Sequence, residues 1–185
     1  MRWIFAGLAV ACSVAGCVAS PVPQRVVQLP PGVFGVYQDN DVGAINQAAW
    51  AFASPANTQG NPIEATKAVV ALEYLPAELS ENPRWVAMDA AVSVHMARAR
   101  DDLRRILGVR PGAPSQLVVN ALLALSWDLQ AGNQPGANQV LESPVFTLPP
   151  AQTMQILSNL PYVQEANLAT ARAQSQVQLE GARSP

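Results

Sequence analysis

Histidine and cysteine are nearly missing from this 185-residue chain: His95 stands alone, and the two cysteines are Cys12 and Cys17. A zinc or other transition-metal centre of the usual kind needs several His or Cys ligands, so neither a metal nor any other cofactor is implied. The motifs that carry nucleophiles and phosphates are missing too. There is no G-x-S-x-G elbow, no phosphate loop ending in G-K-[ST], and no G-x-G-x-x-G after a strand, which sets aside the common hydrolase and nucleotide-binding classes. Positive charge is short, with 11 Lys and Arg against 13 Asp and Glu, so no basic surface for nucleic acid is implied. Runs that alternate apolar and polar residues, the mark of half-buried strands, hardly occur. What the chain has instead is Ala- and Leu-rich stretches punctuated by 16 prolines. That pattern predicts an all-α fold, an irregular array or bundle of about six to seven helices.

The chain opens Met1-Arg2-Trp3 and then runs apolar or small from Ile4 to Ala15, interrupted only by Ser13. A charged start and so short an apolar stretch form the pattern of a secretory leader, because a permanent membrane-spanning helix needs about 20 apolar residues. The stretch ends Val14-Ala15-Gly16-Cys17, which resembles the lipobox of bacterial lipoprotein precursors. The resemblance covers these four positions and the apolar run before them. It implies that residues 1–16 are removed and that Cys17 becomes a lipidated first residue holding the chain to a membrane. Cys12, after Ala9-Val10-Ala11, is the competing acceptor, but it leaves a leader of only about ten residues. An ordinary leader cut at an A-x-A-like site, with Cys17 a spare thiol, is the other alternative. Val18, rather than Asp, follows the cysteine, which by the same resemblance implies the periplasmic face of the outer membrane in a double-membraned host.

With Cys12 removed and Cys17 acylated, no thiol is left for a disulfide, and the fold must rest on its apolar core. Each buried acyl methylene adds about 0.8 kcal/mol of membrane affinity, so several chains make a firm anchor. Loss of Arg2 leaves ten basic residues against the 13 acidic ones, a net charge of −3.

Residues 17–40 read as a tether and docking arm. Pro21, Pro23, Pro30 and Pro31 forbid a helix and stiffen the chain, whereas Val33-Phe34-Gly35-Val36-Tyr37 is too apolar for a free linker and is expected to dock as a strand-like arm. Residues 41–178 read as the helical domain. Helices are expected over 41–52, 62–74 (stopped by Pro76), 83–107, 114–131, 135–141, 150–160 and 161–178, with prolines at several starts and Gly108 and Gly132 after two ends. Asn61-Pro62-Ile63-Glu64 resembles a capping box. The segment 114–131 is apolar almost all round, so it is expected to be the central helix. Residues 179–185 read as a polar tail. Ala124, Gly132, Ala137 and Leu141 resemble the small-residue spacing of one tetratricopeptide-like hairpin, without a 34-residue period elsewhere.

Candidate chemistry is sparse, and no catalytic residue is assigned. His95 borders the apolar stripe of its helix, with Asp102 seven residues on and able to orient its ring. Arg98 with Asp102 and Asp101 with Arg105 have the spacing of surface ion pairs in a cluster that includes Arg100 and Arg104. Asp89 and Asp128 are the acids expected to be partly buried. Trp50, Trp85 and Trp127 are expected to converge as core. Glu142-Ser143 before Met154-Gln155-Ile156 resembles fragments of a lytic transglycosylase, but Gln152 and Thr153 replace the Gly and Leu of that pattern, the spacing is short, and three prolines fill it.

The sequence therefore supports an anchored envelope module that contacts the membrane through Cys17 and binds another envelope protein. Its expected surface combines the Phe34–Tyr37 arm with Leu148–Tyr162. The alternatives are a cell-wall-acting enzyme using Glu142 with Asp128 or Asp89, and a carrier of apolar ligand near Trp85 and Trp127.

Overall fold

The computed structural model describes residues 26–36 and 38–183, with side chains through Leu179 and Gly181; Cys17, its lipobox and Tyr37 lie outside the described residues. Seven helices follow in order: α1 (Asn40–Ala53), α2 (Pro62–Glu81), α3 (Ala90–Leu107), α4 (Ser115–Gln130), α5 (Gln134–Leu141), α6 (Pro150–Ser158) and α7 (Gln164–Arg183). No strand occurs among the described residues, and the all-α expectation holds.

The helix at the centre is α2, not α4. Fourteen of the 20 residues of α2 are buried, and it packs against α1, α3, α4 and α6, whereas six of the 16 residues of α4 are buried. Acidic residues in α2 disguise this position, because Glu73 and Glu78 look like a solvent face until their partners fold over them. On the other side α7 packs across α1 and α3, while α5 folds back on α4 as a hairpin and also meets α6.

Pro76 was expected to stop α2, yet the helix runs on to Glu81. A proline interior to a helix costs about 3 kcal/mol through its missing N–H and ring clash. Here Leu72, Leu75 and Leu79 are buried on both sides of it, and packing of these side chains outweighs that cost. The long helix expected from Pro83 is broken instead. Asn82 accepts from the Arg84 backbone N–H at 3.0 Å, Pro83–Trp85 forms one 3-10 turn, and α3 starts afresh with Asp89 accepting from Ala91 N–H at 2.9 Å. The break turns Trp85 inward, where its indole N–H finds an acceptor.

Other boundaries shift less. α7 begins at Gln164 rather than 161 and continues through 179–183, residues expected in the tail. Gly108 closes α3 in the left-handed region at φ 68°, and Leu148 lies where a Cβ there would project, so only glycine fits. The loops around it are clipped together by Arg110 N–H to Val145 O at 2.8 Å and Thr147 N–H to Gly108 O at 2.7 Å.

Candidate interaction site

The arm docks on the helices, but as turns rather than a strand. Residues 31–34 form turns, and Leu29, Val33 and Phe34 pack on the core. Phe34 lies against Gly43 of α1, where any side chain would collide with it. Val27 is buried, and the next residue is held at both backbone polar groups by one side chain: Gln28 N–H donates to Gln116 Oε1 at 2.7 Å, and Gln116 Nε2 donates to Gln28 O at 3.0 Å. Gln116 thus reads extended backbone as a neighbouring strand would. At the other end, Asn40 Nδ2 donates to Pro30 O at 3.2 Å, and Asp39 caps α1 by accepting from the N–H groups of Asp41 and Val42.

Between this arm and α1, α2 and α4 lies a groove of about 310 Å³ lined by Val33, Phe34, Gln47, Lys67, Leu123 and Trp127. Glu64 organises its polar wall, accepting from Gln47 Nε2 and Lys67 Nζ at 2.9 Å each. Trp127 is 57% exposed and Trp50 44% exposed; only Trp85 of the three tryptophans is core, which corrects the expected convergence. Trp127 projects from a face of α4 that also carries Leu117, 50% exposed.

Three buried carboxylates were not anticipated. Glu73 is 2% exposed and receives a two-pronged bond from Arg104, Nε to Oε1 at 2.7 Å and Nη2 to Oε2 at 2.5 Å. Arg104 spends its other protons on Ala113 O at 2.8 Å and Ser115 Oγ at 2.9 Å, tying α2, α3 and the start of α4. Burial alone would lower the Arg104 pKa, but the Glu73 contact outweighs it and holds the guanidinium above its ordinary value. Asp41 accepts from Tyr74 Oη, from Trp85 Nε1 at 3.0 Å and from Arg84 Nη1 at 3.3 Å, while Arg84 also bonds Asp39 at 2.8 Å and lies over the Trp85 ring. Glu78 accepts from Asn82. Each buried acid has its donors, so the arrangement reads as structural cross-linking.

Tyr74 in that network is held far above the ordinary phenol range, by burial first and then by the Asp41 carboxylate it faces. A pKa raised on folding gives stability that is complete below the unfolded value of 10.0 and is lost as pH climbs beyond it. Between pH 10 and 11 the group should therefore cost up to about 1.4 kcal/mol per pH unit. Urea unfolding at pH 9, 10 and 11 checks this: Tyr74→Phe should show a shallower alkaline decline than the native chain, and parallel slopes would refute it.

The residues picked out by sequence go elsewhere. His95 Nδ1 meets Glu165 of α7, not Asp102, which pairs with Arg105. Asp101 pairs with Arg100 at 2.9 Å, so the expected four-apart pairs do not form. His95 sits beside an open groove of about 580 Å³ lined by Asp102, Arg105, Ile106, Tyr162, Glu165 and Leu168. Asp89 is an exposed cap whose own N–H bonds Gln176 Oε1 at 3.0 Å, and is not a buried acid. Asp128, half-buried, accepts from Asn133 at 2.7 Å and lies by Gly136 at the start of α5, whereas exposed Glu142 caps the far end of that helix. Six residues of helix, about 9 Å of rise, lie between those ends, so the suggested acid pairs are not assembled. Among the described residues no cluster of His, Cys, Asp and Glu is arranged to hold a metal, and no helix is long and apolar enough to cross a membrane.

Glu73 with Arg104 could not be singled out from sequence, because 31 residues separate them. The one available signal was a lone acid amid the apolar run from Ala68 to Leu75. No known protein family, curated protein or solved structure matches the chain. The fold and site define a compact all-helical module strapped by its own N-terminal arm.

Proposed function

We propose that the protein is a lipid-anchored envelope lipoprotein, held through Cys17 at the periplasmic face of the outer membrane, whose helical domain binds another envelope protein without catalysing a reaction. The observation that carries the binding reading is Trp127: a chain poor in aromatics leaves this large side chain more than half exposed on the wall of a groove. Exposed aromatics bordering a concave surface are where binding energy concentrates. The donors already committed to Glu73 and Asp41 weigh against carboxylate catalysis, since a working acid or base needs free access to substrate. The short leader and Cys17 support the anchor.

One experiment reads both halves. A photo-crosslinking residue replaces Trp127 or, as a control, Trp50, in the full chain with Cys17 native or changed to Ser. The expected result is a membrane-bound chain giving one discrete protein adduct from position 127 and none from position 50, with Cys17→Ser released from membranes. The same adducts from both positions, or none, would remove the interaction reading. Membrane retention of Cys17→Ser would remove the anchor.

A further inference from the structure

We infer that the domain meets the bilayer with one particular pole, the one formed by the start of α4 and the Arg110-Pro111-Gly112 loop, and that the docked arm decides this. The inference rests on the anchor reading at Cys17. Its partner is the phospholipid surface to which that lipid belongs.

The argument is one of chain length and point of attachment. The chain is fixed to the domain from Val27 onward, by the burial of Val27 and the paired bonds between Gln28 and Gln116. Ten residue steps from Cys17 to Val27 span at most about 35 Å even fully extended. A globular domain of about 160 residues is about 40 Å across, with about 60 Å around half its girth. A spacer that short cannot pass round the domain, so the surface near Gln116 must stay toward the membrane. That surface carries exposed Leu117, one residue on, and the exposed Pro111 and Arg110.

The arm then crosses to the other end of the molecule. Arg104, near the end of α3, bonds Ser115 at the start of α4, whereas Asp39, at the end of the arm, bonds Arg84 just before α3. The 18 residues of α3 put these ends about 27 Å apart. Release of the arm would move the point of attachment from the α4 pole to the Arg84 pole. It would also lengthen the spacer to 23 steps, from Cys17 to Asn40, about 80 Å at full stretch. The docked arm is thus an orienting strap, and a free one would be a loose leash.

The test uses the full lipidated chain in vesicles of phosphatidylethanolamine and phosphatidylglycerol containing a nitroxide-headgroup lipid. With Cys17 acylated, Leu117→Cys and Val86→Cys each accept one fluorophore; Val86 is 87% exposed beside Arg84. Quenching at 117 is expected to exceed that at 86 by threefold or more. Gln116→Ala with Val27→Asp, which frees the arm, should bring the ratio to one or below. A 20-residue Gly/Ser insertion after Ser20, which leaves every docked residue untouched, should bring it to about one. Equal quenching at both sites in the native arm, or a ratio that survives the insertion, would overturn the inference while leaving the anchor intact. A chain that fails to float with the vesicles would overturn the anchor reading itself.

Discussion

Arg104→Ala is expected to destabilise the domain by about 3–5 kcal/mol, because it strands Glu73 as an uncompensated charge in a 2%-exposed position. Both prongs of the Arg104 contact are lost together with its bonds to Ala113 O and Ser115 Oγ. The missing guanidinium also frees the start of α4 from the end of α3. For a domain of this size such a loss lowers the melting temperature by on the order of 10 °C. A compensated control separates charge from packing. In the double variant Glu73→Leu with Arg104→Met, no buried charge remains, and most of the lost stability should return, since well-packed apolar substitutes often match or exceed a buried pair. Urea unfolding followed by circular dichroism measures both. A loss below about 1 kcal/mol for the single variant, the worth of an exposed pair, would show that Glu73 finds water or another partner.

Asp41→Ala should cost about 2–5 kcal/mol by a different route. Tyr74 Oη and Trp85 Nε1 stay buried and lose their common acceptor, and an unmet buried donor costs about 1–3 kcal/mol. Arg84 loses one of its two carboxylates. The neighbouring Asp39→Ala makes the contrast, because its ion pair with Arg84 is about half exposed and such pairs contribute about 0–1 kcal/mol. Asp39 also caps α1, and Arg84 with the two N–H groups holds its carboxyl below the usual value despite some burial, so its contribution fades as pH falls through that lowered value. The two variants, unfolded side by side at pH 7, should differ by at least about twofold in lost stability. Equal losses would mean that the cap, not the buried network, carries the energy.

The helices were legible where local rules govern. Asn61-Pro62-Ile63-Glu64 predicts the start of α2 and the structure begins it there, with Asn61 accepting from Glu64 N–H at 3.2 Å. Gly108 ends α3 for the same kind of reason, since a left-handed residue can be read from one position. Periodicity over α3 named Val92, Met96, Ala99 and Leu103 as its inward face, and they are buried. Even the docking of the apolar arm was legible, although its turns were not.

What the sequence determined by itself is therefore the class: enough proline and alanine punctuation to give seven helices, too little His, Cys and basic charge to suggest a metal or nucleic-acid protein, and a leader that points to Cys17. What only the tertiary structure decided is the environment of each polar group. Glu73 looks solvated until Arg104, far along the chain, reaches it, and α4 looks central until α2 takes that place and leaves Leu117 and Trp127 outside. His95 likewise turns from Asp102 on its own helix to Glu165 on another. Caps and helical faces depend on neighbours within about four residues. Burial of a charge depends on which distant donor arrives to compensate it, and that is settled by packing rather than by anything written locally.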